Sequence, residues 1–217
     1  VVIDIGGGSV EVTLGTATHL TLGRSFKTGV IRLTERFVQS DPLSDGNERR
    51  LVKHLNREMG PYLDQIAGRG FDRVIGTSGT ILSLGAMASA DDGDRVEDLR
   101  NLQVSAKALH KLRKRIVESD IEERLKIPAM DPRRADLSVA GSVLFDTIIR
   151  RLGAEEFTLC DLALREGLVL DYIHRNSAKI RKAERYPDVR RRSVVELGER
   201  CGYWSEHAQQ VARLALS

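Results

Sequence analysis

The start of the chain carries the groups that are best suited to phosphate chemistry. The apolar run Val1–Ile5 predicts a buried strand that contains one carboxylate, Asp4. Next come three glycines and a hydroxyl, which we call the first loop: Gly6, Gly7, Gly8 and Ser9. Glycines let the backbone turn tightly and approach a ligand, and successive N–H groups in such a turn can form a concave anion site. We therefore predict that the first loop binds phosphate; the alternative is a glycine-rich turn between two strands.

Two carboxylates flank the first loop, Asp4 before it and Glu11 after it. Carboxylates repel phosphate unless a divalent cation lies between them, and Mg²⁺ favours carboxylate, water and phosphate oxygens. We therefore predict that Asp4 and Glu11 are catalytic carboxylates that bind Mg²⁺. The alternative for Glu11 is a solvent-facing position on the following strand.

A second glycine-containing segment, Thr77–Thr80, follows a short apolar stretch and precedes a helical pattern. N–H groups at such a strand-to-helix junction point toward an anion. This predicts a second phosphate-binding loop, formed by Ser78, Gly79 and Thr80. Alternatively, the hydroxyl of Thr77 or Ser78 caps the helix.

Two pairs of charged residues are further candidates. Arg133 and Arg134 precede a long helix and could bind phosphate in a bidentate manner, or could be surface charges. We predict Arg134 as a phosphate ligand. For Arg165 and Glu166 we favour an internal ion pair over ligand contact.

The secondary structure predicted around these residues begins with several strands and continues with helices that alternate with single strands. The pattern predicts an α/β fold with a mixed sheet and flanking helices. The predicted strands are 1–5, 10–14, 19–26, 72–75 and 157–160. The predicted helices are 30–38, 47–68 (capped at Ser44), 81–90, 105–117, 119–125, 133–152, 163–174 and two within 192–217, and a polar turn is predicted at 91–94.

Composition restricts the function only weakly. The 217 residues carry a net charge of +3, with 41% hydrophobic and 30% charged residues. This predicts no membrane span and no specific nucleic-acid partner, although residues 175–192 form a basic stretch. Cys160 and Cys201 give neither a disulfide framework nor a zinc spacing, which favours the cytoplasm. The abrupt start in a strand suggests that the chain begins inside a longer protein.

Three segments in register resemble one family. The Ile3–Glu11 segment, with its flanking strands, resembles the second phosphate loop of the exopolyphosphatase and guanosine pentaphosphate phosphohydrolase (Ppx/GppA) family. Gly76–Ile81 resembles its glycine-serine-glycine-threonine loop, and Asp161–Gly167 resembles its Leu-Arg-Glu-Gly segment. The match covers residues 1–175.

The resemblance implies a ribonuclease H-like lobe of the actin, sugar-kinase and heat-shock ATPase superfamily. Residues 1–175 would be the second lobe, 176–191 a basic linker, and 192–217 the incomplete start of a helical domain related to the His-Asp phosphohydrolases. The first lobe would carry the other phosphate loop and a glutamate that positions the attacking water. We therefore expect these residues alone to be inactive.

The activity that the resemblance implies is hydrolysis of the terminal phosphoanhydride bond of inorganic polyphosphate or guanosine pentaphosphate. A homodimer is also suggested by resemblance. Two alternatives stay open at this point: a small-molecule kinase of the same superfamily, and a regulatory module that binds a phosphorylated nucleotide.

Overall fold

A six-stranded mixed sheet organises the N-terminal part of the chain. The computed structural model describes residues 1–91 and 98–217. The sheet has the order β3-β2-β1-β4-β6-β5, with β1 antiparallel to β2 and parallel to β4. The strands are β1 (Val2–Ile5), β2 (Val10–Gly15), β3 (Leu20–Phe26), β4 (Ile75–Thr77), β5 (Gln103–Ser105) and β6 (Glu156–Cys160). The predicted α/β fold with a mixed sheet is confirmed.

Helices cover the face of the sheet that carries its apolar side chains. Ile3, Val12 and Leu159 on this face are fully buried. Tyr62 of α2 donates its hydroxyl to the carbonyl of Val12 at 3.1 Å, and Gly85 of α3 lies directly against Leu159. The helices are α1 (Val30–Phe37), α2 (Asp45–Arg69), α3 (Ser78–Asp91), α4 (Ala106–Glu118), α5 (Ile121–Arg124) and α6 (Ala135–Leu152).

The observed helix starts lie close to the predicted ones where a polar side chain caps the first turn. The Ser44 hydroxyl accepts from the Asn47 N–H and begins α2, as predicted. Ser105 likewise caps α4. The cap of α5 is Asp120 and not Ser119, because the Asp120 carboxylate accepts from the Glu123 N–H.

The bounds of the strand predicted at 72–75 are wrong, since β4 spans Ile75–Thr77. Gly76 pairs with Ile3 and Leu159 within the sheet, and a glycine fits there because the Ile81 side chain fills the space where a Cβ would lie. Strand β5 was missed because three residues are too few to show a periodicity.

Pro132–Arg134 is a short 3₁₀ turn, so α6 begins at Ala135. The turn predicted at 91–94 lies, apart from Asp91 at the end of α3, outside the described residues.

The described residues form two compact units, Val1–Ala163 and Leu164–Ser217. The second unit consists of four helices, α7 (Leu164–Arg175), α8 (Ser177–Arg185), α9 (Val189–Arg200) and α10 (Ser205–Ala215). Helix α8 and the start of α9 occupy the stretch predicted as a basic linker. Among the described residues, no helix combines the length and the apolarity that a bilayer crossing requires.

Candidate phosphate and metal site

A row of polar side chains crosses the sheet where β1 and β4 end. Asp4 pairs with Glu11 on β2 and with Thr77 on β4, and Glu11 pairs in turn with Ser25 on β3. Residues directly opposite each other on antiparallel strands project from the same face with their Cβ atoms about 5 Å apart. The register therefore places the two predicted metal-binding carboxylates side by side.

The two carboxylates differ in what already contacts them. Glu11 Oε1 accepts a hydrogen bond from the Ser25 hydroxyl at 2.6 Å. The Asp4 carboxylate makes no hydrogen bond or ion pair with any residue that the structure describes, although Asp4 is half-buried. Adjacent carboxylates without a neighbouring cation are a donor set that suits a hard divalent ion. No third His, Cys, Asp or Glu joins them among residues 1–91 and 98–217, so water and substrate oxygens would have to complete a coordination shell.

The backbone of the first loop is held from one side by α1. The carbonyls of Gly6 and Gly7 accept from the N–H groups of Val30 and Ile31, each at 3.0 Å. The carbonyl of Gly8 accepts from Arg32 Nε, also at 3.0 Å. By contrast, the N–H groups of Gly7, Gly8 and Ser9 find no acceptor in the described part of the chain. The loop thus has occupied carbonyls and three free donors, as an anion site requires.

Close packing explains one glycine that sequence reasoning did not single out. Gly29 is buried, and a Cβ on it would overlap the backbone of Gly7, Gly8 and Ser9. Gly8 is open by comparison, since the nearest atom to its Cβ position is 3.9 Å away. In the sequence Gly29 was only a break between a strand and a helix, because its contact with the first loop joins segments that are distant in the chain.

The second predicted loop, Thr77–Thr80, uses its hydroxyls internally. The Ser78 hydroxyl donates to the Ile5 carbonyl at 2.8 Å and accepts from the Ile5 N–H at 3.2 Å. The Thr77 hydroxyl donates to the Leu162 carbonyl at 2.8 Å. Ser78 also has a φ of 77°, a left-handed conformation that is uncommon for a residue with a Cβ. These bonds tie the end of β1 to the start of α3, and neither hydroxyl caps that helix.

Arg134 is brought to this second loop. Its guanidinium carbon lies 2.7 Å from the position that a Cβ on Gly79 would take, and Arg134 and Thr80 line the same small cavity. Arg134 Nε lies 3.7 Å from Asp131. The structure therefore gathers all of the predicted phosphate ligands around the ends of β1 and β4.

The neighbouring Arg133 forms an ion pair with Asp131. Its exposed side chain donates to the half-buried Asp131 carboxylate, which raises the pKa of Arg133 and lowers the pKa of Asp131. In the second unit, Arg165 Nε donates to Glu166 Oε1 at 3.0 Å, consistent with the internal pair that we favoured.

Comparisons with known proteins identify the family of the chain. Residues 1–176 match the model of the Ppx/GppA phosphatase family. A guanosine-5'-triphosphate,3'-diphosphate pyrophosphatase of Vibrio vulnificus is 29% identical over 215 residues, which cover 99% of this chain and 40% of that protein. The chain thus spans about 40% of the length of the curated relatives that it matches.

Solved structures show the same fold. An exopolyphosphatase from Cytophaga hutchinsonii superimposes with a TM-score of 0.71 at 27% identity, over 80% of this chain and 56% of that one. A Ppx/GppA family member from Aquifex aeolicus gives a TM-score of 0.71 at 24% identity, over 81% of this chain and 56% of that one. The latter likeness supports the fold alone.

Proposed function

Because this chain belongs to the Ppx/GppA phosphatase family, we propose that it forms one side of a site that hydrolyses terminal phosphoanhydride bonds. The substrate class is inorganic polyphosphate or guanosine pentaphosphate, both of which present a terminal phosphoryl group. The observation that carries the proposal is the first loop, whose three N–H groups without an acceptor among the described residues lie beside the adjacent carboxylates Asp4 and Glu11.

Each group has a defined task in this proposal. The N–H groups of Gly7, Gly8 and Ser9 bind and orient phosphoryl oxygens, and the free Ser9 hydroxyl adds a fourth donor. Phosphoryl transfer needs mainly positioning and stabilisation of charge on the transferred oxygens, which fixed donors supply. On the second loop, Gly79, Thr80 and Arg134 offer further contacts to the same polyanion.

Asp4 and Glu11 fit Mg²⁺, because they are paired hard oxygen donors and neither forms an ion pair with any residue that the structure describes. When bound there, Mg²⁺ would offset the negative charge of the carboxylates and the phosphate. The register keeps the two carboxylates together, and the Ser25 hydroxyl orients Glu11.

The residue that activates water is assigned by the resemblance to the first lobe. We therefore propose that residues 1–217 alone bind Mg²⁺ and the phosphate chain without turnover. Hydrolysis is accordingly measured on the protein expressed from the complete coding sequence. Binding of Mg²⁺ and phosphate is measured on that protein or on residues 1–217.

The test is the variant Asp4→Asn, which removes the negative charge and keeps the shape. We expect Mg²⁺-dependent phosphate release from polyphosphate and guanosine pentaphosphate to fall by about 10²–10³-fold, a typical effect of removing one charge-stabilising group. Asp72→Asn is the matched control, since Asp72 is exposed and precedes β4 at the opposite end of that strand.

A folded Asp4→Asn protein with the wild-type rate and Mg²⁺ dependence would exclude the role given to Asp4. Tight binding of guanosine pentaphosphate by the complete wild-type protein without phosphate release would instead favour a regulatory module.

A further inference from the structure

We propose that Arg32 is a positioning residue, which acts through the backbone to direct the Ser9 N–H toward the phosphate. The inference rests on the proposed function. It follows from the way in which α1 holds three consecutive peptide units of the first loop, two through its backbone and one through the Arg32 side chain.

Peptide planarity is the first step. In a trans peptide, the carbonyl of one residue and the N–H of the next lie in one plane and point in opposite directions. A donor that holds the Gly6 carbonyl therefore fixes the Gly7 N–H on the opposite side. The same relation joins the Gly7 carbonyl to the Gly8 N–H, and the Gly8 carbonyl to the Ser9 N–H.

The three carbonyls are held by donors of different kinds. Val30 and Ile31 hold the first two with backbone N–H groups in the first turn of α1. The third, the Gly8 carbonyl, depends on Arg32 Nε at 3.0 Å. Among these three carbonyls, the Gly8 carbonyl is the one held by a side chain, so a substitution of Arg32 removes its donor and leaves the other two donors in place.

Arg32 is suited to this task because its charge has no other partner. It is exposed, and no carboxylate lies within 4 Å of it among the described residues. A charged donor makes a hydrogen bond roughly twice as strong as a neutral one, and it polarises the Gly8–Ser9 peptide so that the Ser9 N–H becomes a better donor. Nearby Arg36 does something else, since it lies over the Phe37 ring at 5.1 Å.

The test uses amide NMR of the 217-residue chain with tripolyphosphate and Mg²⁺ as the probe. In the wild type we expect the amide protons of Gly7, Gly8 and Ser9 to shift on titration. In Arg32→Met, which keeps the length and removes the donor, we expect Gly7 and Gly8 to respond as before while the Ser9 shift is lost. We expect tripolyphosphate affinity to fall by about tenfold, the factor that corresponds to about 1.4 kcal/mol.

Two further variants separate positioning from simple charge or packing. Arg32→Gln keeps an N–H donor without charge, so partial recovery of the Ser9 shift supports the backbone route. Arg36→Met is the matched control on the same helix and should leave both the shifts and the affinity unchanged.

The outcomes distinguish this inference from the proposed function. If the wild-type first loop shows no amide response to tripolyphosphate, the proposed function fails. If the wild type responds and Arg32→Met keeps the full Ser9 response and affinity, only the role of Arg32 is overturned. Recovery by Arg32→Lys alone, with no recovery by Arg32→Gln, would assign Arg32 to direct charge contact and also overturn it.

Discussion

The two glycine-containing loops lie at the ends of adjacent parallel strands, but they use their polar groups in opposite ways. In the first loop the backbone carbonyls are occupied by α1, while Asp4 and the Ser9 hydroxyl have no partner in the described part of the chain. In the second loop the hydroxyls of Thr77 and Ser78 are both consumed within the fold. The first loop is held through its glycine carbonyls, and its N–H groups and the Ser9 hydroxyl stay available for a ligand.

This difference indicates that the hydroxyls of Thr77 and Ser78 brace the first loop and are not ligand contacts. Ser78 makes two hydrogen bonds to Ile5, the residue directly before Gly6. Gly29 closes the other side of the first loop by close backbone contact. A loop with free donors has few internal bonds of its own, so its geometry depends on these neighbours.

The largest effect on the first loop is expected for Gly29→Ala. The residue has ordinary dihedral angles (φ −65°, ψ 159°), so alanine is not strained there, but its Cβ would overlap backbone atoms that cannot rotate away. We expect the free energy of unfolding to fall by about 3 kcal/mol, measured by chemical denaturation, and tripolyphosphate binding to be lost.

Two alanine controls isolate the cause. Gly46→Ala places a Cβ in open space on α2 and should be neutral or stabilising. Gly8→Ala meets nothing closer than 3.9 Å and should fold normally. A Gly29→Ala protein as stable as Gly8→Ala would remove Gly29 from the account of the first loop.

The bracing role of Ser78 is tested by comparing Ser78→Ala and Ser78→Gly with the wild type, and the strain at its backbone by comparing the two variants with each other. Both remove the two bonds to Ile5, at about 1 kcal/mol each. Alanine also keeps the left-handed backbone, which costs a residue with a Cβ about 1–2 kcal/mol, whereas glycine relieves it. We expect Ser78→Gly to be the more stable of the two by thermal unfolding. If Ser78→Ala is equal or better, the strained conformation is not maintained in solution.

The sequence was sufficient for features that depend on local chemistry and insufficient for those that depend on distant contacts. Asp4 and the first loop were recognisable from spacing alone, and α2 from the Ser44 cap. Gly29 and Arg32 carry no motif, because their contacts with the first loop exist only after α1 packs against it. The bonds of Ser78 join residues 73 positions apart, so a phosphate ligand and a structural hydroxyl look alike in sequence.

The smallest effect on stability, and the sharpest test of the comparison, is expected for Ser9→Ala beside Thr77→Val. The Ser9 hydroxyl has no partner among the described residues, so its loss should change the free energy of unfolding by less than about 0.5 kcal/mol. It should nevertheless weaken tripolyphosphate binding several-fold, since the ligand loses one donor. Thr77→Val removes the bond to the Leu162 carbonyl and should show the reverse, a stability loss of about 1 kcal/mol with unchanged affinity. Calorimetric titration and thermal unfolding of both variants measure this crossover. If both variants lose affinity equally, the Thr77 hydroxyl contributes to ligand binding and its role is more than bracing.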